Sequence, residues 1–252
     1  TSNGVVTNID GMYSIKANSE STLVFTYVGF EKAEVSISAN SSVTITNLPY
    51  KSITSYIAVA QGGKININGT ASNPVVMTSG LSVKAPGDWG GLVILGLAKN
   101  NQPGGVANIE GIVPTTDSQF GGNFDNDNSG TLRYVRVEFA GIALEPNKEI
   151  NGITFGSVGN QTIVDFVQVT LSGDDSFEWF GGTVNCKHLI AYRGLDDDFD
   201  CDFGYRGKVQ FALSIRDKDL SDAPGDSNAF ECDNDAAGST AQPKTRPIFS
   251  NV

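Results

Sequence analysis

The sequence predicts an all-β protein, built mainly as a right-handed parallel β-helix with a small partial antiparallel β-sandwich at its N-terminus. The 252-residue chain has 29 glycines and short alternating apolar runs such as TLVFTYVGF and RYVRVEF, and it shows no convincing helical stripe. Aromatic residues also repeat, because Phe155, Phe177 and Phe199 follow one another at intervals of 22 residues. A fixed period of this length is typical of stacked structural repeats.

A second apolar frame repeats with the same period, which strengthens the β-helix prediction. Its positions are Val169, Ala191 and Leu213, together with Val167, Leu189 and Phe211, with Val135 and Val137 as earlier counterparts across an insertion. In a parallel β-helix the inward residues of one coil stack on those of the next and form a continuous core. A propeller blade needs about 40 residues, so a propeller fits less well.

The first residues do not follow this period and predict a separate unit. TNIDGMYSI and LVFTYVGFEKAEVSI alternate as strands do, and Asp10 with Gly11 is typical of a hairpin turn. We therefore divide the chain into a partial sandwich at 1–49 and a β-helix at 50–252 that is incomplete at its C-terminal end.

Charge and cysteine content restrict the functional classes. With 28 acidic and 17 basic residues the formal charge is -11, which argues against nucleic acid and anionic membrane surfaces as partners. No apolar run approaches the roughly 20 residues of a membrane helix, and the start is neither a signal peptide nor an initiator, so we expect a processed chain or a fragment. Cys201 and Cys232 show no zinc-ligand spacing, and we expect them to pack as reduced neighbours.

The stretch GLDDDFDCDFGYRG, residues 194–207, concentrates five aspartates and is the main candidate site. If Phe177 and Phe199 point inward, alternation places acidic residues in outward ladders near a turn. The candidate ligands of a cation, most simply Ca²⁺, are Asp200, Asp202, Glu178, Glu231, Asp233, Asp197 and Asp175. A solvated acidic face with turn-capping aspartates is the alternative at equal weight, because solvent screens surface repulsion.

Three further features have simpler interpretations. NFDNDNSG, residues 123–130, resembles part of a calcium loop but lacks the later Glu, so an Asx-rich turn is favoured. The lone His188 has no nucleophile elbow beside it and is expected to be a packed or surface side chain. Trp89 is expected in the core at a coil corner rather than as a platform for a sugar.

Residues 1–47, which carry the two strand-like stretches quoted above, resemble the carboxypeptidase-regulatory-like domain of starch-utilisation-type TonB-dependent receptors of Bacteroidota. That resemblance implies further strands before Thr1. A chain break or fusion at 47–55 is a separate expectation, because TNLPYKSITS (46–55) is a poor substitute for the capping strand that related β-helix proteins carry before their first coil.

From residue 56 to 252 the chain resembles the right-handed β-helix surface lipoproteins of the same bacteria. The stretches that carry the resemblance are YIAVAQGGKININGTASNPVVMTS, PGDWGGLVILGLA, NQPGGVANIEGI, GGNFDNDNSGTLRYVRVEFAGIAL and DDSFEWFGGTVNCKHLIAYRGLDDDFDCDFGYRGKVQFAL. The resemblance implies a location at the cell surface, in the outer membrane or outside the cell, with membrane association through an anchor or partner outside this chain.

Three functional classes remain open at this point. The first is a non-catalytic surface module that binds a glycan, a nutrient or an outer-membrane protein. The second is a polysaccharide lyase or glycoside hydrolase, although fold alone does not establish an activity. The third is an accessory subunit of a TonB-dependent uptake complex.

Overall fold

The computed structural model describes residues 22–25, 33–36, 55–110, 112, 114–145, 148–222 and 227–252. Near the N-terminus, strands β1 (Thr22–Phe25) and β2 (Ala33–Ser36) pair in antiparallel fashion. This pairing agrees with the antiparallel unit predicted there. The hairpin turn at Asp10 and the junction at 47–55 lie outside the described residues, and the division at residue 49 stays a prediction.

The rest of the described chain is all-β and forms a parallel β-helix, as predicted. One parallel sheet, the short sheet, consists in spatial order of β3 (Ile57–Val59), β6 (Leu92–Leu95), β12 (Ile153–Gly156), β14 (Phe177–Phe180), β16 (Phe199–Asp202) and β18 (Glu231–Cys232). Each strand of this sheet comes from a different coil, so neighbours in the sheet are far apart in sequence.

A second parallel sheet, the long sheet, runs beside the first. It contains β4 (Ile65–Asn68), β5 (Val75–Met77), β9 (Gly130–Glu138), β13 (Ile163–Thr170), β15 (Asn185–Tyr192), β17 (Lys208–Ile215) and β19 (Ile248–Ser250). The first two of these strands both pair with β9, which is long enough to bind one with each half. One closed coil therefore contributes one strand to each sheet.

The core lies between the two sheets and is formed by inward residues that stack from coil to coil. Phe177 pairs in register with Phe199, and their ring centroids are 5.6 Å apart. Both rings are fully buried, and each contributes about 1.5–3 kcal/mol through burial alone. Val167 and Val169 likewise pair with the residues 22 positions further on.

The coil between β12 and β14 departs from the predicted period. Ile153 pairs with Phe177, so Phe155 lies beside Trp179 rather than beside Phe177. The coil is therefore two residues longer than predicted. Because an even shift preserves the alternation of side chains, Phe155 stays fully buried.

The coil between β15 and β17 is longer by one residue, and here the prediction was wrong. Ala191 pairs with Ser214 instead of Leu213. A shift of one residue turns every side chain of the strand to the opposite face. Leu213 and Phe211, which we predicted inside, are 49% and 43% exposed.

Close approach between coils explains one glycine in particular. Gly130 has φ +112°, and a Cβ on it would lie 2.0 Å from the carbonyl oxygen of Ile65. That distance is far below van der Waals contact, so only glycine lets β9 start beside β4.

A second layer covers the outer face of the short sheet. It includes the antiparallel pairs β7 (Val106–Asn108) with β8 (Gln119–Gly121) and β10 (Ala143–Glu145) with β11 (Lys148–Glu149), and a short 3-10 helix at Pro103–Gly105. Apolar residues of this layer, among them Phe120 and Ile150, pack on Val93, Leu95 and Phe180 of the sheet. Strands β6, β12 and β14 are consequently buried on both faces, and this burial decides the environment of the acidic residue on β14.

Candidate functional site

The acidic residues collect where the chain turns into β14 and β16. Asp174 and Asp175 precede β14, and Asp196 and Asp197 occupy the equivalent positions before β16, one coil away. Within the strands, Glu178 pairs in register with Asp200, as the alternation predicted. Parallel stacking in register therefore superimposes carboxylates from successive coils.

Two groups of carboxylates come close enough to share a ligand. In one group Asp174, Asp175 and Asp196 each place an oxygen within 4.8 Å of the others, and in the second Asp175, Glu178 and Asp200 do so. Asp175 belongs to both groups. We call these residues the acidic cluster.

Hydrogen bonds hold part of the acidic cluster in place. The backbone N–H of Asp197 donates to Asp175 Oδ1 at 2.9 Å, and Asn151 Nδ2 donates to Glu178 Oε2. Asn151 Nδ2 also lies 3.1 Å from Thr154 Oγ1. By contrast, Asp200 Oδ1 is buried and has no hydrogen-bond partner. One carboxylate oxygen of the cluster is thus left for another ligand.

Burial and mutual repulsion favour the protonated form of the innermost carboxyls. Burial raises the pKa of Glu178 well above its ordinary value, and the charges of Asp200 and Asp175 raise it further. The pKa of Asp175 is raised in the same way, by burial first and then by Asp174. Among the described residues, no lysine, arginine or histidine forms an ion pair with Asp175, Glu178 or Asp200.

The outer carboxyls titrate near neutrality. Burial and the charge of Asp202 raise the pKa of Asp200 to about 7. A hydrogen bond with Glu178 acts in the opposite direction and lowers this pKa. Burial and the charge of Asp197 raise the pKa of Asp196 to about 6. At pH 7 the cluster therefore holds protons that a bound cation would displace.

The spacing suits a calcium ion. Ca²⁺ binds six to eight oxygens at about 2.3–2.6 Å, so two oxygens on one ion lie at most about 5 Å apart. The oxygens of each group satisfy that limit. Asp196 and Asp200 are only partly buried, which leaves the cluster open to a ligand from solvent.

The structure brings three of the predicted ligands into one group, which consists of Asp175, Glu178 and Asp200, and Asp197 contacts that group through its backbone. The other three predicted ligands belong to neither group. Glu231 pairs in register with Asp200 and shares a hydrogen bond with Asp197, but it is exposed. Asp233 is exposed, and Asp202, whose Oδ1 accepts from the N–H of Phe203, is partly buried.

The interpretation as a solvated acidic face is wrong for the inner residues. Glu178 is 5% exposed and Asp175 is 9% exposed. Glu178 lies between the inward residues Phe177 and Trp179 and so points away from the coil interior, but it is buried beneath the outer layer; Asp175 lies in the turn before β14. Pairing of strands could be predicted locally, whereas this cover comes from chain segments far away in sequence.

Sequence reasoning missed four acidic residues near the site. Asp174 and Asp196 repeat at an interval of 22 residues and could have been found by extending the turn stack one position back. Glu110 and Glu149 come from the outer layer. Burial raises the pKa of Asp174 most, the charge of Asp196 comes second, and the charges of Glu149 and Glu110 add to the rise. No local pattern marks these two.

The alternative calcium loop is a structural turn. Asp125 accepts hydrogen bonds from the backbone N–H of Lys99 and from Arg206, and it forms an ion pair with Arg206 at 3.1 Å. Asp127 accepts from Ser129 Oγ. Trp89 is buried and donates its Nε1–H to the carbonyl of Glu138, so the prediction of a core residue is confirmed.

A family model described as a pectate-lyase like beta helix domain matches residues 9–252. The chain belongs to this family. The match extends into the segment 1–49 that the sequence set apart. Membership supports the parallel β-helix and leaves the ligand open, because one fold serves many functions.

A weaker similarity connects the chain to a receptor. It is 25% identical over 178 residues to a protein named TonB-dependent receptor P26 of Formosa agariphila, an alignment that covers 60% of this chain and 17% of the relative. The chain thus spans less than a fifth of that protein's length. No solved structure matches. In the described part of the chain, no helix has the length and apolar character needed to cross a membrane.

Proposed function

We propose that this chain is a non-catalytic binding module at the bacterial surface, whose acidic cluster holds Ca²⁺ and presents it to an oxygen-rich ligand such as a glycan. The observation that carries the proposal is the group of Asp175, Glu178 and Asp200, whose oxygens converge without a compensating cation among the described residues. Three converging carboxylates without a counter-charge are costly, and a cation removes that cost.

The geometry favours a shared ion over a purely structural one. The group supplies three carboxylates, which is fewer than the six to eight oxygens that Ca²⁺ prefers. The remaining positions on the ion are available to water or to the hydroxyls of a glycan, because Asp200 is partly accessible. Metal-bridged binding of this kind makes ligand affinity depend on calcium.

A location at the cell surface and a partner in the outer membrane are part of the proposal. The family match and the similarity to part of a TonB-dependent receptor support them. Co-purification of the chain with a receptor barrel from outer membranes is the expected result. An anchor outside this chain accounts equally for a surface location and predicts no such co-purification.

An enzymatic role as lyase or glycoside hydrolase is the second candidate. The raised pKa of Glu178 is what a general acid requires. However, Glu178 is almost fully buried, and a catalytic carboxyl must reach its substrate. Release of reducing ends, or of unsaturated uronates detected by absorbance, from a panel of polysaccharides would favour the enzyme.

Calorimetric titration of chelator-treated protein with Ca²⁺ tests the site directly. We expect one ion per chain and release of protons, so that the measured heat changes with the ionisation enthalpy of the buffer. Asp200→Asn should weaken binding at least tenfold. Asp233→Asn, at an exposed predicted ligand outside the group, is the matched control and should bind as the parent does.

Two results would contradict the proposal. If neither calorimetry nor melting temperature responds to millimolar Ca²⁺, the cluster is held by protons alone. If Ca²⁺ binds but Asp200→Asn has no effect, the ion lies elsewhere.

A glycan array probed with and without chelator tests whether the bound ion presents the site to a glycan. We expect binding to a glycan that depends on calcium.

A further inference from the structure

Four aromatic side chains form a continuous stack on the outside of the long sheet. Tyr134, Phe166, His188 and Phe211 occupy the same position in successive coils, and their ring centroids are 4.5, 4.2 and 5.0 Å apart. All four have φ between 51° and 60°. Asn251 takes the equivalent position in the next coil with φ 57°, so the left-handed bend belongs to the coil, and four successive coils place a ring on it.

A groove runs beside this aromatic stack, just after the bend in each strand. Its volume is 510 Å³, and it extends from the coil of Tyr134 to the coil of Asn251. Four coil spacings of about 4.8 Å make it about 19 Å long, and it is open to solvent along that length. An extended chain that runs across the coils can contact the groove along its whole length.

Most of the surface that lines the groove is apolar, and two of its polar side chains already have partners within the protein. Gln168 Nε2 donates to Thr170 Oγ1 at 2.9 Å, and His188 Nδ1 shares a hydrogen bond with Asp165 at 2.8 Å. Arg136 Nε lies 2.6 Å from Glu138 Oε1, although its N–H does not point at the carboxylate. Hydroxyls of a glycan or the backbone of a peptide would find few partners here, and unpaired polar groups are costly to bury.

Strand β17 shows that the groove wall is built for apolar contact. It turns Phe211 and Leu213 outward and keeps the small Ala212 inside. Large apolar residues outside and a small one inside reverse the usual preference for burial. Leu213 and Ile190 both line the groove, whose C-terminal half is therefore apolar on both sides.

We propose that this groove binds a single extended acyl chain, as in a free long-chain fatty acid. An alkyl chain needs no hydrogen-bond partners, follows the length of the groove and covers the exposed faces of Phe211 and Leu213. The aromatic groove lies on the long sheet and is independent of the acidic cluster on the short sheet, so the proposal stands or fails separately from the proposed function.

The test is calorimetric titration with decanoate, undecanoate and dodecanoate, each below its micelle concentration and in the presence of chelator. A fully buried methylene tightens binding about fourfold, equivalent to about 0.8 kcal/mol. In an open groove we expect the dissociation constant to fall two- to fourfold for each added methylene. Chelator removes any contribution of the proposed calcium site.

A pair of variants locates the binding. Leu213→Asn should weaken dodecanoate binding about tenfold, whereas Ile163→Asn, which is 44% exposed on the same sheet but outside the groove, should leave it unchanged. Absence of binding, equal effects of both variants, or no dependence on chain length would overturn the proposal. So would binding of maltohexaose, or of phosphatidylcholine vesicles without monomeric acid, that Leu213→Asn abolishes.

Discussion

Replacement of Asp200 by Asn should stabilise the calcium-free protein at alkaline pH. Asp200 has an ordinary pKa of 3.8 and a pKa of about 7 in the folded protein, chiefly because burial and the charge of Asp202 disfavour its carboxylate. The amide is nearly isosteric and carries no charge. The variant therefore keeps the packing of the acidic cluster while removing the buried charge and its repulsion by Asp202.

The magnitude follows from the difference between the two pKa values. At 1.36 kcal/mol per pKa unit, a rise from 3.8 to about 7 corresponds to about 4 kcal/mol of lost stability once both folded and unfolded states are ionised. A carboxyl whose folded pKa is raised destabilises the fold as pH increases. The penalty is absent below about pH 4, grows between pH 4 and 7, and is complete above pH 7.

Urea unfolding in chelator at pH 5 and pH 8 measures this effect. The parent should lose stability as the pH rises from 5 to 8, and Asp200→Asn should lose less. At pH 8 the free energy of unfolding of the variant should exceed that of the parent by up to about 4 kcal/mol. In Ca²⁺ the advantage of the variant should shrink, because the parent gains about 2.7 kcal/mol at a hundredfold excess over its dissociation constant and the weaker-binding variant gains less. An Asp200→Asn variant that is no more stable than the parent at pH 8 without calcium would refute the reasoning.

Three other substitutions or labelling experiments test the fold. Phe199→Asp should abolish cooperative unfolding seen by circular dichroism, since a buried unpaired charge costs several kcal/mol; a parent-like melting curve would contradict its place in the core. Ala212→Leu should destabilise the fold by about 1–3 kcal/mol through overpacking, whereas Leu213→Ala should change the stability by less than about 1 kcal/mol. A larger loss for Leu213→Ala than for Ala212→Leu would show that Leu213 is inside and that the 22-residue spacing holds. Mass spectrometry after alkylation should find Cys232 modified at once and Cys201 only after denaturation; a disulfide between them would show that they are not reduced neighbours.

The parallel β-helix could be predicted because apolar residues recur in the sequence at the spacing of one coil. When strands stack in register, each coil faces the same environment, so apolar residues recur at one interval. Phe177 over Phe199 and Glu178 beside Asp200 both followed from that interval and from alternation. The grouping of Glu178 and Asp200 with Asp175 could be predicted from the same two patterns.

Changes in coil length could not be predicted, since extra residues lie in turns whose pattern carries no apolar period. An added pair left Phe155 inside, while a single added residue moved Phe211 and Leu213 outside. The aromatic groove depends on that single residue. Composition alone makes Phe211 and Leu213 equally good core residues.

The burial of the acidic cluster also required the tertiary structure. Glu178 accepts a hydrogen bond from Asn151 of the neighbouring coil, and its pKa is raised by Glu110 of the outer layer, residues 27 and 68 positions away in the chain. The sequence by itself determined which carboxylates stack on which, because stacking repeats with the coil. Only the folded chain decided that they are withdrawn from solvent, because desolvation depends on which distant segments pack over the sheet, and it is desolvation that raises their pKa values most.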